Sequence, residues 1–317
     1  MKAAVVATAG DAPEYRDFLE PKAGPGRQIV ALVASAIHPV VRAKASANHY
    51  SSTGQYPLVP GVDAVARTAE GTLVYTGGAE EPWGTFAEHI AVPAAMTLPL
   101  PDGADPVAVA GSMNPGMSSW MPLATYAGHH GTPDTVVVLG ATGAAGGLAV
   151  QNALALGARR VIGIGRGAED LKRVAGLGAE VVELLGHKDA DATTVHAALG
   201  DKSPEVVLDY LWGSPAEAIF QALETIAGTS ATTYVQIGSA AGEQAVVPAS
   251  LLRSRPFEIS GSGIGSFDMR NYAAHASGYL KLIAEGEVHL DVQAYSLSRV
   301  SEAWRAPAGP RPVLTAD

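Results

Sequence analysis

The sequence has 317 residues, 47% of them hydrophobic and 16% charged, enough apolar material for about two folded domains and too much for global disorder. A formal net charge of −10 disfavours a nucleic-acid or anionic-membrane partner, because both need a basic field. The absence of cysteine excludes disulfides, zinc–thiolate sites and cysteine nucleophiles.

The opening run Met1-Lys2-Ala3-Ala4-Val5-Val6 is too short for a secretory signal, and no stretch of about 18 apolar residues follows it. A cytoplasmic protein without a membrane span is expected. Residues 1–115 carry short β-like runs at 3–7, 28–36, 72–76 and 86–92, punctuated by Pro21, Gly24-Pro25-Gly26, Pro60-Gly61 and Gly77-Gly78. Close turn signals between short strands predict a compact, partly barrel-like β domain.

The pattern changes near Trp120. His129-His130 is placed between a helix and the turn Gly131-Thr132-Pro133-Asp134, as solvated surface. Residues 135–139, Thr-Val-Val-Val-Leu, read as a strand buried on both faces. A helix is predicted over 145–156, closed by Gly157. Strands at 160–164, 180–184, 206–210 and 232–237 then alternate with helices at 168–176 and 216–226, and 200–204 reads as a loop. Such alternation predicts a doubly wound parallel sheet, an α/β fold. One more helix is predicted over 270–285, before a mixed run ending Arg311-Pro312-Val313-Leu314.

The strongest chemical signal follows the 135–139 strand: Gly140-Ala141-Thr142-Gly143-Ala144-Ala145-Gly146, with Ala141-x-Gly143-x-x-Gly146 as a variant of G-x-G-x-x-G. Its position between a buried strand and a helix is what gives the motif specificity. Small residues let backbone N–H groups approach a pyrophosphate, and the helix N-terminus favours its negative charge. The bland alternative is a tight strand–helix turn without a ligand. At the end of the next strand, Val161-Ile162-Gly163-Ile164-Gly165-Arg166-Gly167 offers no carboxylate for a ribose 2′-hydroxyl. Arg166 stands there instead and suits a 2′-phosphate, so NADP(H) is preferred over NAD(H). The competing reading is a solvated loop arginine in a field weakened by Glu169 and Asp170.

The sequence resembles the medium-chain dehydrogenase/reductase superfamily, in its zinc-free quinone-oxidoreductase-like branch, over nearly its whole length. Ala34-Ser35-Ala36-Ile37-His38-Pro39-Val40-Val41 is similar to that branch's Asn-Pro-x-Asp segment, and Tyr50-Ser51-Ser52-Thr53-Gly54 to its Tyr-x-x-x-Gly turn. Pro60-Gly61-Val62-Asp63 is similar to its Pro-Gly-x-Asp/Glu entry, and Gly84-Thr85-Phe86-Ala87-Glu88-His89-Ile90-Ala91-Val92-Pro93 to its Gly-x-x-Ala-Glu-x-x-x-Val-Pro strand. Asn114-Pro115-Gly116-Met117-Ser118-Ser119-Trp120 resembles the segment leading into the nucleotide domain.

The resemblance implies a Rossmann domain, 119–262, inserted in a GroES-like β-barrel domain made of 1–118 and 263–317, with the cofactor in the cleft and a homodimer through the Rossmann sheet edge. It also implies that Ser118 and Asn114 face the cofactor. There are departures. His38 stands where zinc-dependent relatives have a first metal ligand and Val62 where they have a second, so no metal is expected. His38 also replaces the Asn of the zinc-free branch, and Val41 its Asp.

Hydride transfer without metal needs a positioned nicotinamide, a dry pocket and a group that polarises or protonates the substrate. Candidate backbone contacts to the nicotinamide side are Gly238-Ser239 and Gly261-Ser262-Gly263-Ile264. Tyr50 is the first candidate for the proton donor and His38 the second. Tyr50 can equally be a pocket wall, and His38 a satisfied, partly buried histidine. Asn48 and Ser51 share the Tyr50 loop as substrate contacts, and Trp212, after the 206–210 strand, can border the cofactor cleft or simply pack. No nucleophile elbow, Gly-Lys-Ser/Thr loop or His-Glu-x-x-His competes.

The leading expectation is an NADPH-dependent, zinc-independent oxidoreductase acting on a small-molecule quinone, activated alkene or carbonyl. The alternatives are a carbonyl or secondary-alcohol dehydrogenase and a non-catalytic NADPH-binding protein.

Overall fold

The computed structural model describes every residue except Gly228, Thr229, Ile264, Phe267 and Asp268, and the side chains of Met269 and Arg270. In chain order the elements are β1 (Lys2–Val5), β2 (Glu14–Asp17), β3 (Arg27–Ala36), α1 (Pro39–Ala45), β4 (Asp63–Arg67), β5 (Leu73–Gly77), β6 (His89–Pro93), β7 (Leu98–Pro99), α2 (Pro106–His130), β8 (Thr135–Leu139), α3 (Ala144–Ala155) and β9 (Arg160–Gly165). There follow α4 (Ala168–Gly176), β10 (Glu180–Glu183), α5 (Lys188–Leu199), β11 (Val206–Asp209), α6 (Gly213–Thr225), β12 (Thr232–Gln236), α7 (Ala249–Ser254), β13 (Phe257–Gly261), α8 (Met269–Ala284), β14 (Val292–Ser296), α9 (Val300–Trp304) and β15 (Arg311–Thr315). Among the described residues no helix is long and apolar enough to cross a membrane. The chain divides into two compact units, Met1–Asn114 with Ala276–Asp317, and Pro115–His275.

The first unit is built on a mixed sheet ordered β14-β15-β3-β4-β5-β7, with β6 also paired to β3. Its pairings are antiparallel except for β14 with β15. The register between β3 and β4 shifts between Leu32 and Ala34, as at a β-bulge, which bends a strand and strengthens its twist. The two-stranded β1–β2 ribbon is stitched on by the bridges Ala3–Ala87 and Val6–Leu58. Inward-facing Val5, Val30, Leu32, Phe86, Ile90 and Leu314 form the core.

The second unit contains a six-stranded, wholly parallel sheet ordered β10-β9-β8-β11-β12-β13, the doubly wound order whose ligand crevice lies at the carboxyl ends of the central strands. Side chains alternate between its faces. Val136 and Val138 join a core with Ala149, Val150, Ala153 and Val174, while Val137 and Leu139 join the opposite one with Val195, Ile219, Phe220 and Leu251. Helices cover both faces, which is why the strands read as unbroken apolar runs.

Several helices differ from the sequence expectation, α2 and α5 among them. The 25-residue α2 runs through Pro115 and Pro122, residues that ordinarily end helices, and its last turn takes in His129 and His130 rather than stopping before them. The helix α5 lies between the 180–184 strand and the 200–204 loop, where no element is predicted from the sequence. Its polar sequence hides a buried stripe of Ala192, Val195 and Leu199.

Candidate functional site

β8 delivers the chain to Gly140, whose φ of 92° belongs to the left-handed region that favours glycine. The N–H groups of Gly140 and Ala141 both donate to the Ile164 carbonyl, at 2.8 and 3.0 Å, which moors the turn to the end of β9. α3 begins at Ala144 with Gly143 as its cap and no capping side chain. The first-turn N–H groups of Ala144, Ala145 and Gly146 therefore stand outside the helical ladder. A Cβ on Gly146 would lie 2.1 Å from the Gly140 carbonyl oxygen, so the turn tolerates no side chain there. Free donors, a helix N-terminus and missing side chains together fit a diphosphate. Gly140, Thr142, Gly143, Ala144, Ala145 and Gly146, expected at such a site, are brought together in this one turn.

Thr142 connects it to the next strand end. A Cβ on Gly165 would meet Thr142 Cγ2 at 2.6 Å, so the threonine side chain fills the space above that glycine. Arg166, one residue on, is exposed and forms no hydrogen bond or ion pair among the described residues. The two carboxylates that follow are occupied. Lys172 Nζ lies 2.8 Å from Glu169 Oε1, and Arg173 Nη1 lies 3.1 Å from Asp170 Oδ1, each pair spaced i,i+3 on α4. Arg173 Nη2 also donates to the Thr142 carbonyl at 2.9 Å. The charges of Glu169 and Asp170 are thus balanced locally, and the Arg166 guanidinium is left uncompensated. Arg173 is absent from the sequence-based site; only its helical spacing from Asp170 could have signalled it.

At the ends of the central strands a second cluster forms around Tyr210, another residue missed from sequence. Its main chain crowds Gly238, where a Cβ would come 2.7 Å from the Tyr210 carbonyl oxygen. Ser118 Oγ donates to the Pro115 carbonyl at 2.5 Å, so in its 3.0 Å contact with Tyr210 the phenol is the donor. Ser262 Oγ donates in turn to the Ser118 carbonyl at 2.5 Å. Burial pushes the Tyr210 phenol up to about 12, and it stays protonated at neutral pH. Ser118 and Gly238 therefore meet through Tyr210.

The Ser239 carbonyl closes its own turn, accepting from Gly242 N at 3.3 Å, and Gly263 N donates to Ser266 Oγ at 2.7 Å. Ile264, also expected to contact cofactor, lies outside the described residues. Asn114 is half-buried on α2, about one turn before Ser118.

Trp212 has a φ of 54° and ψ of −165°, a conformation nearly restricted to glycine. The fully buried Asp209 holds it there. Its Oδ1 accepts from Leu211 N at 2.7 Å and Trp212 N at 2.9 Å, and its Oδ2 accepts from Tyr234 OH at 2.7 Å. Burial raises the Asp209 pKa despite these bonds. The half-buried indole packs edge-on against Phe220 and Tyr234.

The first unit holds the proton-donor candidates, and they differ sharply. Tyr50 is 85% exposed, and its ring contact is with His49, 4.1 Å away between centroids. Ser51 N donates to His49 Nδ1 at 3.2 Å, and Ser51 Oγ lies 2.8 Å from the same atom. Burial, helped by the charge of Lys44, lowers the His49 pKa and favours its neutral ring. The Asn48 backbone N–H donates to the Ala43 carbonyl at 2.9 Å. The loop is tied down by Glu81, which accepts from Thr53 N at 3.1 Å, from Thr53 Oγ1, and from Lys44 Nζ at 3.0 Å.

His38 is only 1% exposed. Among the described residues neither ring nitrogen has a hydrogen-bond partner, and Nε2 lies 3.5 Å from Asp63 Oδ1, itself without one. Asp63 Oδ2 accepts from Tyr75 OH at 2.8 Å. His38 is thus buried deeper than the alternative of a partly buried histidine expects, beside the Asp63 carboxylate. Among the described residues no three His, Cys, Asp or Glu side chains are grouped to hold a metal ion.

No family model matches the chain. A "Probable NADPH-dependent quinone reductase" of Emericella nidulans is 30% identical, with 96% of each chain covered. Among solved structures, a mycobacterial quinone oxidoreductase superposes with a TM-score of 0.84 at 21% identity over 99% of both chains. The Thermus thermophilus quinone oxidoreductase gives 0.75 at 24% identity, covering 99% of this chain and all of that one. The structural likenesses establish the fold, a Rossmann-type parallel sheet with a GroES-like β unit. With the sequence likeness along almost the full length, they establish that this chain belongs to the quinone-oxidoreductase-like group of the medium-chain dehydrogenase/reductase superfamily.

Proposed function

We propose that the chain is an NADPH-dependent oxidoreductase, independent of zinc, that delivers hydride to a quinone, an activated alkene or a carbonyl compound. The observation that carries this is the turn at 140–146, with free first-turn N–H groups, no room for a side chain at Gly146, and an uncompensated Arg166 beyond the adjoining strand. Arg166 would hold the 2′-phosphate through charge-assisted hydrogen bonds. Gly238, Ser239, Gly263 and Ser118 would line the nicotinamide end, with Tyr210 fixing Ser118 in place. Bound there, the dinucleotide supplies the hydride.

The chain must then polarise or protonate the acceptor. We assign that task to Tyr50 before His38, because an 85% exposed phenol is reachable by substrate and a 1% exposed imidazole is not. Zinc independence is supported by the donor set: there is no cysteine, and Val62 cannot ligate.

The test is NADPH oxidation, followed at the nicotinamide absorbance, against a panel of quinones, enones and aldehydes in the presence of a chelator. Turnover of at least one class is expected. Tight NADPH binding with no turnover across the panel would leave a binding protein and reject the enzyme. Alcohol-driven reduction of NADP⁺ that survives chelator would instead mark a dehydrogenase.

A further inference from the structure

Resting on the NADP(H) assignment above, we propose that Arg173 is a cofactor-specificity residue which acts by masking Asp170. The strand end itself carries no carboxylate, but Asp170 follows it in the first turn of α4. A Cβ on Gly167 would lie 3.5 Å from Asp170 Oδ2, so this side chain folds back over the loop that follows β9. An acidic group at the end of this second strand is the usual mark of NAD(H) preference, because it accepts a hydrogen bond from the 2′-hydroxyl and repels a 2′-phosphate. Here the carboxylate is engaged by Arg173 Nη1 at 3.1 Å.

The same guanidinium reaches the Thr142 carbonyl through Nη2, at 2.9 Å, and Thr142 lies in the pyrophosphate turn against Gly165. Arg173 thus fixes the distance between the diphosphate turn and α4 while it cancels the charge that would oppose Arg166. An exposed i,i+3 ion pair adds little to folding stability. Its effect on a 2′-phosphate held by Arg166 is a separate matter, because removing Arg173 leaves the negative charge of Asp170 unbalanced. Removing Arg173 frees Asp170 to face the ribose, so preference should move from NADP(H) toward NAD(H).

The experiment is calorimetric titration of NADP⁺ and NAD⁺ into the full chain at low ionic strength, for wild type, Arg173→Ala, Arg173→Lys, Asp170→Asn and the double variant Arg173→Ala/Asp170→Asn, with thermal unfolding as a check on folding. Arg173→Ala is expected to weaken NADP⁺ roughly tenfold and to leave NAD⁺ unchanged or tighter. Arg173→Lys should keep most of the preference, and the double variant should recover NADP⁺ affinity because the unmasked charge is gone.

Equal weakening of both dinucleotides by Arg173→Ala would reduce the residue to a structural pin on Thr142 and overturn the proposal. No recovery in the double variant would overturn it as well. Wild type binding neither dinucleotide would sink the cofactor assignment itself, an outcome distinct from wild type preferring NADP⁺ with no change of ratio in the variants.

Discussion

The turn at 140–146 and the Tyr50–His38 region are built from different materials. The turn works through absence: glycines and alanines bring main-chain donors to a common point, and the position that matters most, Gly146, matters because nothing fits there. The Tyr50–His38 region works through side chains, whose value depends on exposure. There one candidate stands almost fully in solvent while the other is sealed beside Asp63. Backbone sites are specified by steric exclusion over a few consecutive residues, whereas side-chain sites are specified by long-range packing.

This contrast breaks most sharply at Tyr50. Tyr50→Phe should cut kcat by about 10²–10⁴-fold while leaving NADPH affinity and thermal unfolding unchanged, as for loss of a general acid. Full activity in steady-state assays would return Tyr50 to a pocket wall and turn attention to His38. Gly146→Ala should do the opposite. Its methyl group collides with a main-chain oxygen at 2.1 Å, so denaturant unfolding should show a loss of about 1–3 kcal/mol and calorimetry a loss of dinucleotide binding.

Arg166→Ala sharpens the comparison within the nucleotide unit. NADPH should weaken roughly tenfold and NADH hardly at all, since only the former carries the extra phosphate. Equal effects on the two would remove the phosphate role.

The smallest expected effect concerns the Tyr50 loop. Burial works to raise the Glu81 pKa, but the hydrogen bonds from Thr53 and the charge of Lys44 win and hold it below its ordinary 4.5. A depressed carboxylate stabilises the folded form above its ordinary pKa and loses that contribution as the pH falls through the folded value. Hydrogen exchange at the Thr53 amide should therefore quicken, relative to the rest of the first unit, as the solution is acidified below about pH 4.5. In Glu81→Gln the acid dependence should vanish.

Legibility in the sequence followed the same divide. The parallel sheet and its turn could be read directly, because β8 is a run of valines bounded by Gly140 and because close approach demands small residues locally. Arg166 was legible by its distance from that turn. Its freedom from Glu169 and Asp170 was not, since it depends on Lys172 and Arg173 folding back along one face of α4. Tyr210 escaped notice because it looks like the last residue of a buried strand, and only the folded chain places Ser118 against it, 92 positions away. The helix α2 was obscured by Pro115 and Pro122, whose missing donors a local reading takes as breaks. The burial of His38 was hidden too, because a histidine before a proline has no local pattern that distinguishes solvent from core.

The strand order of the first unit has a consequence for biosynthesis. β15 is inserted between β14 and β3, and Arg311 donates to the Ile37 carbonyl across 274 positions of chain. A ribosome releases β3 early, yet that strand waits for its partner until the whole of Pro115–His275 has emerged. The nucleotide unit is contiguous and can condense first, during translation, while the apolar faces of β3 and β4 stay incomplete. Chaperone dependence of a nascent chain should accordingly be concentrated in the interval between those two events, and a stall before residue 311 should leave a folded parallel sheet carrying an unfinished partner.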